Sequence, residues 1–229
     1  MISALKNGLY SPVFEHDACG VGFIADIAGN RSHKILKQAL RSVIHLTHRG
    51  AVDADAKTGD GAGVLTQIPG KLFKKELQKL GSHIGAPDEL GVGMIFLPRE
   101  DLEAQKASRV IIEETVQQRG LILLGWRKVP VRSEELGDKA RGAMPEIEQV
   151  LVGRPGELDS EKFEQMLYLT RKVIEGRAQG KGLDGLYIPS FSHRTLVYKA
   201  LVVAPQLERF YLDLKNSDFD TSLCVFHQR

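Results

Sequence analysis

The sequence predicts an α+β or layered α/β domain. Two observations support this: segments with the two-residue alternation of strands recur along the chain, and segments with helical periodicity separate most of them. A length of 229 residues suits one large domain or a part of a longer protein. The apolar share of 42% and the charged share of 26% exclude disordered, collagen-like and disulfide-stapled classes.

The first elements follow an irregular lead-in, residues 1–18, which has no periodic pattern and ends in the acidic patch Glu15-His16-Asp17. CGVGFIADI, from Cys19, is predicted to be a buried strand interrupted by glycines. Helical spacing then predicts an amphipathic helix that Ser32 can cap and that ends near Leu46. Its predicted buried face comprises Ile35, Leu36, Ala39, Leu40, Val43 and Ile44. The Gly/Asp-rich loop TGDGAG and the predicted strand VLTQI come next.

The central elements begin with a basic helix that Pro69 opens and that continues through Leu80. The sequence then predicts a strand in GVGMIFLP, a helix over residues 101–118, and strands in GLILLGW and EIEQVLVG. Ser160 can cap the next helix, and residues 176–185 are predicted to form a polar, Gly-rich connector. The predicted apolar face of that helix comprises Phe163, Met166, Leu167, Leu169 and Val173.

The last segments, LYIPSF, RTLVYKALV and TSLCVFHQ, alternate as strands, and PQLERFYLDL predicts a short helix between the last two. The chain stops at Arg229, directly after an apolar strand. We therefore expect that the domain is truncated and that its C-terminal part is missing. A sheet that is cut short would leave unpaired edges, which favour association.

Charge and apolar content restrict the partners and the compartment. A net charge of +2 without a local basic run gives no electrostatic footprint for nucleic acid. No apolar stretch is long enough to span a membrane, and the N-terminus lacks the apolar region of a secretory signal. Cys19 and Cys224 lie too far apart for a CxxC motif, which favours a reduced protein with a cytoplasmic localisation.

Cys19 is the first candidate catalytic residue. A cysteine in a strand is most often a small buried hydrophobe, and we interpret Cys224, inside SLCVF, in that way. Removal of residues 1–18, however, would make Cys19 N-terminal and place its α-amine beside its thiol. Such an amine can act as the general base for the nucleophile. Glycines at positions 20 and 22 leave room for a substrate carbonyl to approach.

The segment HLTHRGAVDADAKTGDGAG allows two further interpretations. His45, His48, Asp53 and Asp55 could be metal ligands, but the pattern is not HExxH and lacks a clear third ligand. Cationic side chains that complement the helix dipole are the preferred interpretation, and no metal is expected. TGDGAG could hold a phosphate, but it precedes a strand rather than a helix and fits neither nucleotide-binding motif. A nucleotide-binding enzyme is therefore a distant alternative.

Separated motifs resemble one family, in order and over essentially the whole chain. They are NGLYSPVFEHDACGVGF, HRGAVDADAKTGDGAGVLTQIP, SHRTLVYKALVVAPQLERFYLDL and SLCVFHQR. Together they resemble the N-terminal glutaminase domain of the large subunit of glutamate synthase. The wider class II glutamine amidotransferases share only the Cys-Gly start, the HRG motif and the final arginine.

The resemblance implies a fold and a processing event. The fold would be the α+β, four-layer αββα sandwich of N-terminal-nucleophile hydrolases. Residues 1–18 would be a propeptide that is removed after Ala18, and residues 19–229 would be the N-terminal part of the amidotransferase domain.

The resemblance also implies the site residues. Cys19 would be the catalytic nucleophile that attacks the side-chain amide of glutamine, releases ammonia and leaves a thioester for water to hydrolyse. Arg49 and Gly50 of the HRG motif and Arg229 of the HQR motif would bind the substrate, with Arg229 on its carboxylate. In the family the Asn-Gly pair of the oxyanion hole follows this last motif, so the fragment alone is expected to be a poor enzyme.

Glutamate synthases use the ammonia at a second site, where it reacts with 2-oxoglutarate, and FMN and an iron–sulfur cluster handle the electrons. The resemblance therefore implies two partners besides glutamine, the remainder of the glutamate synthase chain and its electron-donating subunit. No cofactor is expected in this segment, because two cysteines cannot hold an iron–sulfur cluster. The main alternative is a catalytically inactive truncated homologue that binds glutamine or a partner subunit.

Overall fold

The computed structural model describes residues 19–50, 53, 55 and 57–229, so the predicted lead-in lies outside the described residues. The strands are β1 (Gly20–Ala25), β2 (Ala62–Gln67), β3 (Leu90–Leu97), β4 (Ile122–Lys128), β5 (Glu146–Gly153), β6 (Tyr187–Ser192), β7 (Thr195–Ala200) and β8 (Leu223–Gln228). The α-helices are α1 (His33–His45), α2 (Gly70–Lys79), α3 (Leu102–Gln118), α4 (Asp138–Gly142), α5 (Ser160–Gly180) and α6 (Ala204–Phe210). In this part of the chain no helix is both long and apolar enough to cross a bilayer.

The strands form two four-stranded antiparallel sheets. Sheet one has the order β1-β8-β2-β7, and sheet two has the order β4-β5-β3-β6. Helix α1 packs on β1 and β8, whereas α3 and α5 pack on sheet two. Helices therefore cover both sheets, which confirms the predicted α+β sandwich.

Sheet one contributes its alternate residues to the larger hydrophobic core, in which Val64 of β2 faces Phe226 of β8 across the ladder. Helix α1 covers this core with the predicted residues, except that Ile44 is 38% exposed. The prediction that the strand after Cys19 is buried was wrong for alternate residues. β1 is an edge strand, and the side chains of Val21 and Phe23 are 65% and 69% exposed.

Helix α5 differs from its prediction at both ends. The cap is Asp159 rather than Ser160, and its carboxylate accepts a hydrogen bond of 2.8 Å from the Lys162 amide. The helix also continues to Gly180, so the first half of the predicted connector was wrong. Leu169 is 47% exposed, because the buried stripe takes different positions from those predicted. The buried residues of α5 are Phe163, Leu167, Thr170, Ile174 and Ala178.

A buried charged network links the two sheets. The Arg127 guanidinium on β4 donates two hydrogen bonds of 2.7 Å to Asp213 and one of 2.8 Å to Glu76. It also donates to the Gln149 side chain on β5, and the Tyr198 hydroxyl on β7 donates to Asp213 at 2.7 Å. Burial opposes the charged form of Arg127, but these partners raise the pKa of its guanidinium above the usual value. The network therefore fixes β4 and β5 of sheet two relative to β7 of sheet one.

Candidate active site

Cys19 lies at the end of sheet one where β1 begins. Its thiol is free and exposed, and the next residue, Gly20, pairs with Gln228 of β8 in antiparallel register. Cys19 precedes Gly20 and Arg229 follows Gln228 along the chain. The pairing of β1 with β8 therefore brings two of the predicted site residues to the same end of sheet one.

The HRG motif lies at the same end of sheet one, against Gln228 and Arg229. Its residues form a 3₁₀ turn, Thr47–Arg49, and the Gly50 amide donates to the Thr47 carbonyl at 3.0 Å. A Cβ atom at position 50 would lie 2.4 Å from Gln228 Nε2 and 2.9 Å from the carbonyl oxygen of Arg229, so only glycine fits. The Arg49 side chain lies outside the described atoms. The backbone of Gly50 nevertheless places the HRG motif directly against the HQR motif.

The loop TGDGAG also lies at this end of sheet one, next to Arg229. The Arg229 amide donates a hydrogen bond of 2.9 Å to the carbonyl of Gly61 in this loop. Just before the loop, the Asp55 carboxylate accepts two hydrogen bonds of 2.6 Å, from the Thr58 hydroxyl and the Thr58 amide. These bonds lower the pKa of the Asp55 carboxyl to about 2. In this structure the loop supports the backbone of Arg229.

The candidate metal ligands of the HRG segment have other partners. His48 Nδ1 lies 3.0 Å from the His45 carbonyl oxygen, and Asp53 forms a 2.8 Å ion pair with Lys139. The Asp55 carboxylate accepts hydrogen bonds from the Thr58 amide and hydroxyl. Across the residues that the structure describes, no group of three or more His, Cys, Asp or Glu side chains is arranged to hold a metal ion.

A cavity of about 480 Å³ adjoins Arg229. This volume is within the usual range of about 300–1,000 Å³ for small-molecule sites. Its polar lining residues include Asp60, Tyr187, Lys199, His227 and Arg229. The Lys199 ammonium donates to the Tyr187 hydroxyl at 2.8 Å and lies over that ring, 4.5 Å from its centroid. The cavity therefore places cationic side chains beside an apolar wall, which suits a small anionic or zwitterionic ligand.

Cys224 differs sharply from Cys19. It lies in β8 between apolar neighbours, its side chain is 0% exposed, and it belongs to the larger core. Burial alone raises the pKa of its thiol to about 12. The interpretation of Cys224 as a core residue is confirmed.

Sequence reasoning missed Gln228. Its side chain is 0% exposed and contacts the backbone of three segments that meet at the site. A signal was present in the strand pattern, because Gln228 continues the buried alternation of Cys224 and Phe226. A polar side chain at a buried strand position must find hydrogen-bond partners, and this expectation could have identified it.

Comparisons with known proteins give one consistent result. Residues 19–229 match the family of class-II glutamine amidotransferases. The large chain of an NADPH glutamate synthase from Azospirillum brasilense is 42% identical over 220 residues, which are 96% of this chain and 14% of the relative. The corresponding large chain from Bacillus subtilis is 40% identical over 97% of this chain and 14% of its own length. A ferredoxin-dependent glutamate synthase from Synechocystis is 43% identical over 95% of this chain and 14% of its own length. The chain thus spans about one seventh of these relatives.

Proposed function

The chain belongs to the class-II glutamine amidotransferases, and on this premise we propose that it hydrolyses the side-chain amide of glutamine with Cys19 as the nucleophile. The observation that carries the proposal is the convergence of Cys19, Gly50 and Arg229 at one end of sheet one. The resemblance implies these three residues together with Arg49 as site residues, and this assignment is part of the proposal.

We propose that the Arg229 guanidinium holds the carboxylate with two parallel hydrogen bonds while the amide carbon lies near Cys19 Sγ. The HRG residues, Arg49 and Gly50, form the adjacent wall of the substrate site.

The chemistry follows from the thiol and from the N-terminus. The Cys19 sulfur forms a bond to the amide carbon, the carbon–nitrogen bond breaks, and ammonia leaves with a proton. Water then attacks the thioester, so that glutamate is released and the thiol is restored. We propose that residues 1–18 are removed and that the free α-amine of Cys19 carries the protons. The family match supports this boundary because it begins at residue 19.

For the longer protein we propose the role of a glutamate synthase. The similar large chains from Azospirillum brasilense and Bacillus subtilis support it. In such a protein the ammonia would react with 2-oxoglutarate elsewhere in the chain, with electrons supplied through FMN, an iron–sulfur cluster and a partner subunit. The present segment does not fit the cluster, since it has two cysteines and one of them is buried in β8. A cytoplasmic localisation belongs to the same proposal.

Glutamate release from L-glutamine tests the proposal, and it is measured on the longer protein that includes the Asn-Gly pair, because residues 1–229 alone are expected to be a poor enzyme. Cys19→Ala should reduce the rate to the uncatalysed background, because the nucleophile is lost. Cys224→Ala is the matched control, since it removes the other thiol from the core and should retain the activity at a temperature where the protein stays folded. Activity that persists in Cys19→Ala, or an unsubstituted protein that neither binds nor hydrolyses glutamine, would contradict the proposal.

A further inference from the structure

The side chain of Gln228 uses both ends of its amide at the candidate site. Its Oε1 accepts a hydrogen bond of 2.9 Å from the Ala204 amide, at the start of α6. Its Nε2 donates to the Arg229 carbonyl at 2.9 Å and to the Gly61 carbonyl at 3.3 Å. Because an amide N–H can only donate and carbonyls can only accept, these partners fix the orientation of the side chain.

Two neighbouring residues further restrict where the Gln228 side-chain amide can lie. The backbone of Gly50 packs so closely on Gln228 Nε2 that a Cβ atom there would be 2.4 Å away. The backbone of Gln228 itself pairs with Gly20, the residue after Cys19. The same side chain therefore contacts the HRG motif, the TGDGAG loop and α6, from a strand position beside the nucleophile.

We infer that Gln228 is a positioning residue for glutamine binding. By holding the carbonyl of Arg229 against that of Gly61, it sets the direction in which the Arg229 side chain leaves β8. By filling the space beside Gly50, it sets the separation between the HRG and HQR motifs. This inference rests on the proposed function, because it concerns how the Arg229 guanidinium is aimed at the substrate carboxylate.

Gln206 provides a matched control. It is also buried, and its Oε1 accepts from the Val203 amide at 3.0 Å while its Nε2 donates to the Glu135 carbonyl at 2.7 Å. Both glutamines thus join the start of α6 to a backbone carbonyl. Only Gln228, however, contacts the two arginine motifs. If only the loss of a buried amide mattered, substitution of either glutamine should slow alkylation of Cys19 equally. A positioning role predicts that only substitution of Gln228 slows it.

The test compares two alkylating reagents at Cys19. A diazo-ketone analogue of glutamine must be held by its carboxylate, whereas iodoacetamide needs only an accessible thiol. In Gln228→Glu the carboxylate would face two carbonyls and could not donate to them. We expect alkylation by the diazo-ketone to slow about tenfold, which corresponds to the loss of a buried hydrogen bond. Iodoacetamide should stay within twofold of the unsubstituted protein, and Gln206→Glu should leave both rates within twofold.

Three results would overturn the inference. The first is an unchanged diazo-ketone rate in Gln228→Glu, and the second is an equal slowing of both reagents. The third is that neither Gln228→Glu nor Gln228→Met folds while Gln206→Glu does, because the amide would then be a requirement of the fold. Gln228→Met is the second variant because it keeps the side-chain length without a charge, and it should repeat the selective loss. If iodoacetamide labels Cys19 in the unsubstituted protein but the diazo-ketone does not, the proposed function fails instead.

Discussion

At the scale of single residues, the two cysteines show how environment separates chemistry from packing. Cys19 is exposed at the start of an edge strand, whereas Cys224 lies in the core with a thiol pKa of about 12. The motifs predicted which of them is the candidate nucleophile, and the strand alternation of SLCVF predicted which is buried. Neither kind of pattern predicted the hydrogen bonds of Gln228, because its partners are backbone atoms of segments far away in the sequence.

The role of Arg229 leads to a kinetic prediction. Arg229→Lys keeps the charge but loses the planar pair of donors, so we expect the KM for glutamine to rise about tenfold with kcat within about threefold. Steady-state glutaminase assays on the longer protein, which includes the Asn-Gly pair, measure both. Arg209→Lys is the control, because Arg209 is half exposed on α6 and pairs with Glu135 at 3.2 Å. A KM that does not change in Arg229→Lys would remove Arg229 from the substrate site.

At the scale of elements, periodicity identified the strands and the longer helices, whereas composition misled at their ends. Residues 176–180 are glycine-rich and polar, yet they are helical because Ala178 is buried and Arg177 donates to the Thr115 hydroxyl at 2.8 Å. These contacts are tertiary, so no local pattern contains them. Helix α4 was not predicted for a similar reason, since five residues are too few to show a period.

The start of α4 leads to a stability prediction, because it packs against the TGDGAG loop. A Cβ atom at Gly137 would lie 2.2 Å from Asp55 Oδ2 and 2.4 Å from the Thr58 hydroxyl oxygen. We expect Gly137→Ala to cost about 1–3 kcal/mol of unfolding free energy, since the loop must move. Gly142→Ala, in the same helix but with open space around it, should be neutral or stabilising by up to about 1 kcal/mol.

Urea unfolding of both variants measures these two changes in free energy. Equal effects for Gly137→Ala and Gly142→Ala would show that the loop does not pack on α4 in this way.

The contact between the Asp55 carboxylate and Thr58 should also weaken at low pH. The folded pKa of about 2 lies below the unfolded value, so the stabilisation is present above about pH 4 and is lost as the pH falls toward 2.

At the scale of the whole molecule, the candidate site results from the strand order of sheet one. β1 and β8 lie at opposite ends of the described chain, and their pairing brings Cys19 and Arg229 to the same end of sheet one. β2 pairs with the other side of β8 and brings Gly61 to the same end. Alternating patterns identified these strands, but they do not say which strands pair. The family resemblance implied the αββα sandwich and the candidate site residues, but it did not specify a strand order. The Arg127 network explains how the second sheet is held in place.

The most direct test of Cys19 as an N-terminal nucleophile is peptide mapping of the protein after reaction with the diazo-ketone analogue of glutamine. We expect one adduct, on Cys19, in a peptide whose first residue is Cys19 because residues 1–18 have been removed. Cys224 should stay unmodified until the protein is unfolded, because it is buried in β8. An adduct on Cys224, or full glutaminase activity in a protein that still carries residue 18 bonded to Cys19, would contradict the proposed mechanism.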